Sequence, residues 1–299
     1  MELPRRNPVT RRWLALSPAI VVVSIFMILP MIILLVFSFM EADPYGGVDP
    51  GFTTEAYVQI LYERDFDDLL IFDPVYLNII GRSVLLALLA TIGCLVLGLP
   101  VAYFIARQSS RTQSLLLYLI TIPFWTNLLV RTYAWILLLS SDGVIEQPLK
   151  FLGVIDESLD MMYTNGAVAV GLIYSYLPLM VLPIYASLEK LDFRLIEAAH
   201  DLYADRFRVA RYVIFPLAAP GIVAGCILVL VPSLGAFIAP DLLGGGKKLM
   251  LGSLIQVQFA SARNWPFGSA VAICLLALVM MMLMYQARIA SKRRRETGD

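Results

Sequence analysis

Apolar residues along this chain fall into six long runs, at about 14–40, 79–106, 115–139, 165–188, 213–240 and 267–290. Each is long enough for the ~20 residues that carry a helix across a bilayer. The pattern predicts an all-α integral membrane protein with six transmembrane helices. The longest polar interval, 41–78, opens with the turn formers Asp43-Pro44-Tyr45-Gly46-Gly47 and Asp49-Pro50-Gly51 and closes on Asp73-Pro74. It reads as an external loop with room for a short helix rather than a catalytic module. The expected divisions are a tail, first helix and external loop over 1–78, a membrane core over 79–290, and a basic tail over 291–299. The first run follows a basic segment, as a signal peptide would. It is far longer than the 7–15 residues of a signal core and ends in no small-x-small cleavage site, so it reads as a retained helix.

Composition agrees with the pattern: 59% of residues are hydrophobic and 15% charged, against roughly 45–50% and about 25% in soluble domains. The charge distribution adds an orientation. Arg5, Arg6, Arg11 and Arg12 precede the first run, and Arg107 and Arg111 follow the second. Lys190, Arg194, Arg206, Arg208 and Arg211 lie between the fourth and fifth, and Arg288, Lys292, Arg293, Arg294 and Arg295 close the chain. These are 16 of the 23 basic residues, all on one side of a six-span topology. Lys and Arg gather in cytoplasmic loops, which predicts that both termini and the segment near 189–212 face the cytoplasm. The opposite side carries acids: Glu41, Asp43, Asp49, Glu55, Glu63, Asp65, Asp67, Asp68 and Asp73 in the first loop, and Asp142, Glu146, Asp156, Glu157 and Asp160 in the third.

Candidate chemistry is sparse. His200 is the only histidine, has no second ligand beside it, and reads as a solvated loop residue. Cys94, Cys226 and Cys274 all lie within apolar runs, where they read as small packing residues rather than a metal or disulfide set. Gly244-Gly245-Gly246-Lys247-Lys248 resembles a phosphate loop only superficially, because G-x-x-x-x-G-K-[ST] would need Gly at Asp241 and Ser or Thr at Lys248. It reads as a flexible external turn. No catalytic residue and no metal site are expected.

An ionised group near the centre of a span costs at least ~2.5–3.5 kcal/mol and marks a transport site or a structural pair. Only Arg131 lies well inside a run, with Asp142 and Asp241 as possible partners; an ion pair and a place in the pathway are both open. Proton or sodium coupling through buried carboxylates is not expected. The fifth run holds Pro216, Pro220, Pro232 and Pro240 with Gly221, Gly225 and Gly235. Its helix should break or kink in several places, and such backbone is tolerated at membrane depth only against protein or a wet cavity. It is a candidate pathway lining as well as a candidate kinked packing helix.

The segment Glu197-Ala198-Ala199-His200-Asp201-Leu202-Tyr203, followed by Ile214-Phe215-Pro216-Leu217-Ala218-Ala219-Pro220-Gly221-Ile222, carries the most information. Leu195, Ala199 and Leu202 at i, i+4 and i+7 make a narrow apolar stripe on a short polar helix. This segment resembles the EAA loop of the permease subunits of type I ATP-binding-cassette importers. The resemblance extends over about 53–287 and is greatest to spermidine/putrescine permeases, through Pro123-Phe124-Trp125-Thr126-Asn127, Leu152-Gly153-Val154-Ile155-Asp156, Pro178 to Tyr185, Asp241 to Gly245, and Asn264-Trp265-Pro266-Phe267-Gly268. One position departs from the family: Tyr203 stands where such permeases usually have Gly. A turn that needs positive φ would be strained there, so the loop is expected to bend differently or to dock differently on its ATPase.

The resemblance implies a type I permease fold and a multi-pass protein of the bacterial inner membrane. It also implies a second permease subunit, two cytoplasmic ATP-binding subunits and a periplasmic solute-binding protein; ATP and Mg would be used by the ATPase, with no cofactor on this chain. Membrane lipid is the remaining partner, and no nucleic acid is implied. Glu197, Ala198, Ala199, Leu202 and Tyr203 would couple to the ATPase. The solute would be a small cation such as a polyamine, or alternatively 4-aminobutyrate, an opine or a quaternary amine; a passive channel would have no use for the EAA segment. Ammonium groups favour aromatic faces, which makes Trp125, Asn127, Arg131, Tyr133, Tyr174, Tyr176, Pro232, Phe237 and Asp241 the pathway candidates. Trp125, Leu129, Thr132 and Tyr133 are expected on one face of the third helix. Core packing is open for each of these aromatics.

Overall fold

The computed structural model describes residues 8–64, 70–141, 143–152, 159–192 and 194–296. In chain order they form α1 (Pro8–Val23), a π-helical turn (Ser24–Ile28), α2 (Leu29–Phe37), β1 (Met40–Ala42), β2 (Val48–Phe52), α3 (Glu55–Val58), β3 (Tyr62–Arg64) and β4 (Leu70–Phe72). Then follow α4 (Val75–Ala106), α5 (Ser110–Trp125), α6 (Leu128–Leu139), α7 (Glu146–Phe151), α8 (Asn165–Leu188), α9 (Arg194–Asp201) and α10 (Arg206–Val209). A second π-helical turn (Ala210–Ile214) leads into α11 (Phe215–Leu234), α12 (Ile238–Leu243), α13 (Leu251–Ala260) and α14 (Trp265–Glu296).

Five helical stretches are long and apolar enough to cross a membrane: Leu16–Phe37, Val75–Ala106, Asn165–Leu188, Arg206–Leu234 and Trp265–Arg288. The sixth, expected as one helix over 115–139, is the pair α5 and α6, bent by 92°. The break has local causes. Pro123 supplies no N–H to the last turn of α5, Thr126 turns extended with its hydroxyl on the Pro123 carbonyl (2.7 Å), and Asn127 restarts a helix by accepting the Leu129 N–H at 2.8 Å. The fifth span is interrupted at its start and at its end. Pro220 and Pro232 are carried inside α11, and the helix stops only at Gly235. Pro216, near the start of α11, follows the π turn, where the Phe215 N–H reaches back to the Ala210 carbonyl. Pro30 likewise follows the π turn Ser24–Ile28. In both cases the carbonyl four residues before the proline, which loses its donor and meets the ring, falls at the centre of the widened turn.

The chain divides into two compact units. The first comprises Met1–Pro74 and Ile255–Leu278. Its long polar interval is more structured than the sequence suggested: β1 pairs antiparallel with β2, β3 with β4, and α3 lies between them. The Asp43 carboxylate accepts the Tyr45 N–H (2.7 Å), and Gly46 and Gly47 take φ of 101° and 112° to close the first hairpin. Phe39 stacks on Phe52 and tilts against Tyr57, whose hydroxyl meets buried Ser38 at 2.8 Å; Phe37 packs on Trp265. Asp65, Asp67 and Asp68 lie outside the described residues.

The second unit comprises Val75–Leu254 and Val279–Asp299. Its core is the triple packing of α4, α8 and α11 around Cys94, Ala102, Ile105, Met180, Ile184, Leu188, Ala218 and Val229. Leu86, Val168, Leu172, Ala239, Leu243 and Met250 form a second cluster toward α6 and α12. Lipid offers helices no hydrophobic drive to associate, so close approach of small residues must supply the contact. Gly221 and Gly225, one turn apart, do so for α11: a Cβ on Gly221 would press on the Pro183 carbonyl oxygen and come within 2.8 Å of Ile184 Cα, and one on Gly225 within 3.2 Å of the Met180 carbonyl oxygen. Gly221→Ala should therefore cost about 1–3 kcal/mol and lower the melting temperature of the purified complex, whereas Val223→Ala on an exposed face should leave it near wild type. Equal melting temperatures for the two variants would mean that α8 and α11 do not depend on this approach.

Candidate functional site

Two helix breaks meet in the second unit. One is the elbow between α5 and α6; the other is the interval Gly235–Phe237 between α11 and α12. Between them, Leu128, Leu172, Ser175, Tyr176, Pro232 and the segment 235–239 line a cavity of about 120 Å³. Tyr176 closes one side, its hydroxyl donating to the Pro232 carbonyl at 3.3 Å. A Cβ on Gly252 would strike the Gly235 carbonyl oxygen, so the start of α13 packs directly on this break.

Of the pathway candidates, Tyr176, Pro232 and Phe237 are brought together around that cavity. Arg131 is not among the residues that line it; its guanidinium carbon is 5.8 Å from the Phe124 ring centroid, a cation–π contact. Its Nε is buried without a hydrogen-bond partner. No ion pair joins Arg131 to Asp241, and Asp142 lies outside the described residues. Tyr174 points away from Tyr176, as positions two apart on a helix must, and packs edge-on against Trp135 at 5.5 Å. Asn127 serves as the cap of α6. The expected common face of Trp125, Leu129, Thr132 and Tyr133 does not form. Trp125 ends α5 at 86% exposure, on the far side of the 92° elbow, while Thr132 is buried with its hydroxyl on the Leu128 carbonyl and Tyr133 is exposed. Asp241 is exposed on α12.

The EAA-like segment forms α9, as the stripe predicted, but the stripe is bare. Leu195 is exposed, Leu202 is 82% exposed just past the helix end, and the residue that packs on the core is Ile196. Glu197 and Ala198 are exposed as well. Tyr203 does not change the bend of the loop; it bends as a glycine would, at φ 57°, with 93% of its surface exposed. The Tyr203 N–H donates to the His200 carbonyl (2.9 Å) and the Ala204 N–H to Ala199 (3.1 Å), the paired bonds of a Schellman cap with Tyr at its left-handed position. His200, exposed as expected, adds a bond between Nδ1 and the Ala204 carbonyl at 3.0 Å, in which Nδ1 carries the proton.

Residues 95–296 match the family of binding-protein-dependent transport system inner membrane components. The chain belongs to that family. It is 41% identical over 272 residues to the spermidine/putrescine transport system permease protein PotB of Escherichia coli strain K12, spanning 90% of this chain and 95% of that one. To the spermidine/putrescine transport system permease protein PotC of the same strain it is 26% identical over 279 residues, 92% of this chain and 93% of that one. Its fold is that of a chain in the crystal structure of a bacterial alginate ABC transporter in complex with alginate pentasaccharide-bound periplasmic protein, at a TM-score of 0.74 and 16% identity over 95% of this chain and 96% of that one. The protein is thus a multi-pass inner-membrane permease of the ATP-binding-cassette importer class, and ATP hydrolysis belongs to a partner.

Sequence reading missed three residues that hold this permease in shape. Glu146 was counted among the outer acids, yet it is 1% exposed, paired with Lys150 at 3.1 Å and accepting the Leu159 N–H at 3.2 Å. Its spacing to Lys150, i to i+4 within α7, was the available signal. Ser83 accepts the Leu251 N–H across 168 positions at 2.8 Å, a partner that no local pattern reveals. Tyr163, at φ 60°, lies against Gly245 in the Gly244–Gly246 turn. The strained cap of α9 makes its own prediction. Tyr203→Gly should relieve ~1 kcal/mol of left-handed strain and raise the protection factor of the Ala204 amide by about fivefold in hydrogen exchange. An unchanged or lower factor would mean that the turn carries no strain.

Proposed function

We propose that this permease forms, with a second and similar permease subunit, the membrane path for a small cationic solute of the polyamine class. The observation that carries this reading is the 41% identity to a spermidine/putrescine permease across nine-tenths of the chain. The lower identity, 26%, to the other permease of the same bacterium suits one member of a two-permease pair. A binding protein on the outer side would deliver solute and set affinity, and two ATPases would bind the cytoplasmic side, on which the excess of basic residues would put α9 and both termini. The exposed acids Glu41, Asp49, Glu63 and Asp160 would favour a cation outside, while Tyr176 and Phe237 offer it ring faces.

The coupling surface would be Glu197, Ala198, Ala199, Leu202 and Tyr203. Bare apolar side chains on a polar helix want a partner, and α10 with its π turn joins this helix to α11, which ends at the cavity. ATP binding would close the ATPase pair, move α9 and α10, and open the break at Gly235. A second reading, the same machine for a solute with a carboxylate beside its amine, such as 4-aminobutyrate or an opine, is favoured by the unpaired Nε of Arg131.

Uptake of labelled spermidine, putrescine and 4-aminobutyrate by cells carrying the whole system separates the two readings. Saturable polyamine uptake, unaffected by excess 4-aminobutyrate, is expected; competition by 4-aminobutyrate but not by polyamines would replace the first reading with the second. For coupling, Ala199→Trp should abolish transport and release the ATPase during purification, while Gly47→Cys in the same chain is still labelled from outside by an impermeant maleimide. Normal transport with the ATPase retained would remove the coupling role, and labelling only from the cytoplasmic side would reverse the topology.

A further inference from the structure

A second cavity, of about 210 Å³, lies within the first unit and is lined by no residue of either helix break. Three segments enclose it: β1, the stretch from Thr53 to Gln59 that contains α3, and the start of α14. Each segment is held by bonds of its own. The Thr53 N–H donates to the Phe39 carbonyl (2.8 Å), and the Thr53 hydroxyl accepts the Glu55 N–H (3.1 Å). The Gly47 N–H donates to the Arg263 carbonyl (3.1 Å), which ties the first hairpin to the start of α14, where Asn264 Oδ1 accepts the Phe267 N–H (3.1 Å). The cavity is therefore formed before anything enters it. β1 follows the end of the span Leu16–Phe37, and Asn264 precedes the span Trp265–Arg288. The basic clusters attached to these two spans lie at their other ends, so the charge pattern puts the cavity on the outer side.

The lining has two halves. Glu41 and Glu55 bring carboxylates, and Thr53, Gln59 and Asn264 bring neutral oxygens; Met40, Ala56 and Pro266 make an apolar wall. Among the described residues no Lys or Arg lines the cavity, and Arg263, next to Asn264 in the chain, lies over Gly46 instead. An anion has no charge to pair with there. A calcium ion takes six to eight oxygens, would find only two carboxylates, and has no use for an apolar wall. A quaternary amine is held by aromatic faces, and no aromatic ring lines the cavity. A primary ammonium on a hydrocarbon stem matches both halves, with three N–H donors for the oxygens and methylenes for the apolar wall.

We propose that this cavity is a binding site for an alkylammonium group. Two sources share that chemistry: the end of a free polyamine, and a lysine side chain presented by the binding protein. That either arrives at this side rests on the function proposed above; the chemistry of the cavity does not.

The test uses the complete transporter in nanodiscs. Ligand-observed NMR reads binding of n-butylammonium, with empty nanodiscs as the blank, and a second titration reads the affinity of the same discs for the solute-loaded binding protein. Glu41→Gln and Glu55→Gln should each weaken n-butylammonium binding by about fivefold. Ala42→Trp, at an exposed residue of the lining, should abolish it by filling the cavity while both carboxylates stay. Glu63→Gln, at an exposed acid on β3 outside the lining, should change nothing. The proposal is overturned if the wild type binds no n-butylammonium, if binding survives Glu41→Gln and Ala42→Trp undiminished, or if Glu63→Gln weakens it equally, which would make it a general effect of negative charge. Tighter binding of calcium or tetramethylammonium than of n-butylammonium overturns it as well. The second titration identifies the source: a matching loss of binding-protein affinity in Glu41→Gln assigns the ammonium to a lysine of that protein, and unchanged affinity assigns it to free solute. Failure of the polyamine reading is seen separately, as absent spermidine uptake by the wild type, because n-butylammonium binding is measured without transport.

Discussion

In a bilayer every backbone N–H and C=O must find its partner within the protein, since lipid supplies none. Most of what distinguishes this permease from a bundle of straight helices follows from that requirement. Each interruption of a span is matched by a side chain that takes up the freed group. Asn127 caps α6, Thr126 covers the Pro123 carbonyl, Tyr176 reaches the Pro232 carbonyl, and Ser83 holds the first N–H of α13. Before Pro30 and before Pro216 the helix widens instead. The breaks are affordable only where such partners converge, and that is why two of them share one cavity.

The same constraint sets the packing. Helices in lipid are held by close contact rather than by expulsion of water, and the interfaces among α4, α8 and α11 set Gly, Ala and Cys against Ile105, Met180, Ile184 and Leu188. Gly221 and Gly225 bring α11 against the backbone of α8. Phe215, Leu217, Val223 and Leu228 of α11 are exposed, while Val229, Leu230 and Leu234 are buried. Its start leads back, through the π turn, to α10 and α9.

Those helices show the opposite economy. α9 makes little contact with its own chain beyond Ile196, leaves Leu195 and Leu202 bare, and ends in a left-handed tyrosine where glycine would cost nothing. Such strain persists where the surroundings enforce it. Here the cap is enforced by the His200 and Ala204 bonds, and it leaves a fully exposed ring at the point where the chain turns back toward the membrane.

The sequence alone marked six apolar runs, five of which form helices long and apolar enough to cross a membrane and one the bent pair α5 and α6, and it marked α9 with its apolar stripe. These follow from composition and period, which are local. The broken third span was also partly legible, since Pro123 followed by Asn127 is a stop and a start within five residues, but the uniform apolarity on both sides hid it. The four prolines of the fifth run met different outcomes: a widened turn before Pro216, a continuous helix through Pro220, and a break three residues after Pro232. A proline states only that one bond is missing, and whether the helix breaks, widens or carries on depends on what packs beside it. The tertiary structure decided the rest: that Tyr176 and Phe237 share a cavity while Trp125 and Tyr133 do not, that Glu146 is buried with Lys150, that Ser83 pairs with Leu251, and that Arg131 stands by Phe124. Each of these is a relation between distant positions set by the angle of an elbow or the closeness of two glycines, and hydropathy, which counts residues one at a time, carries no record of either.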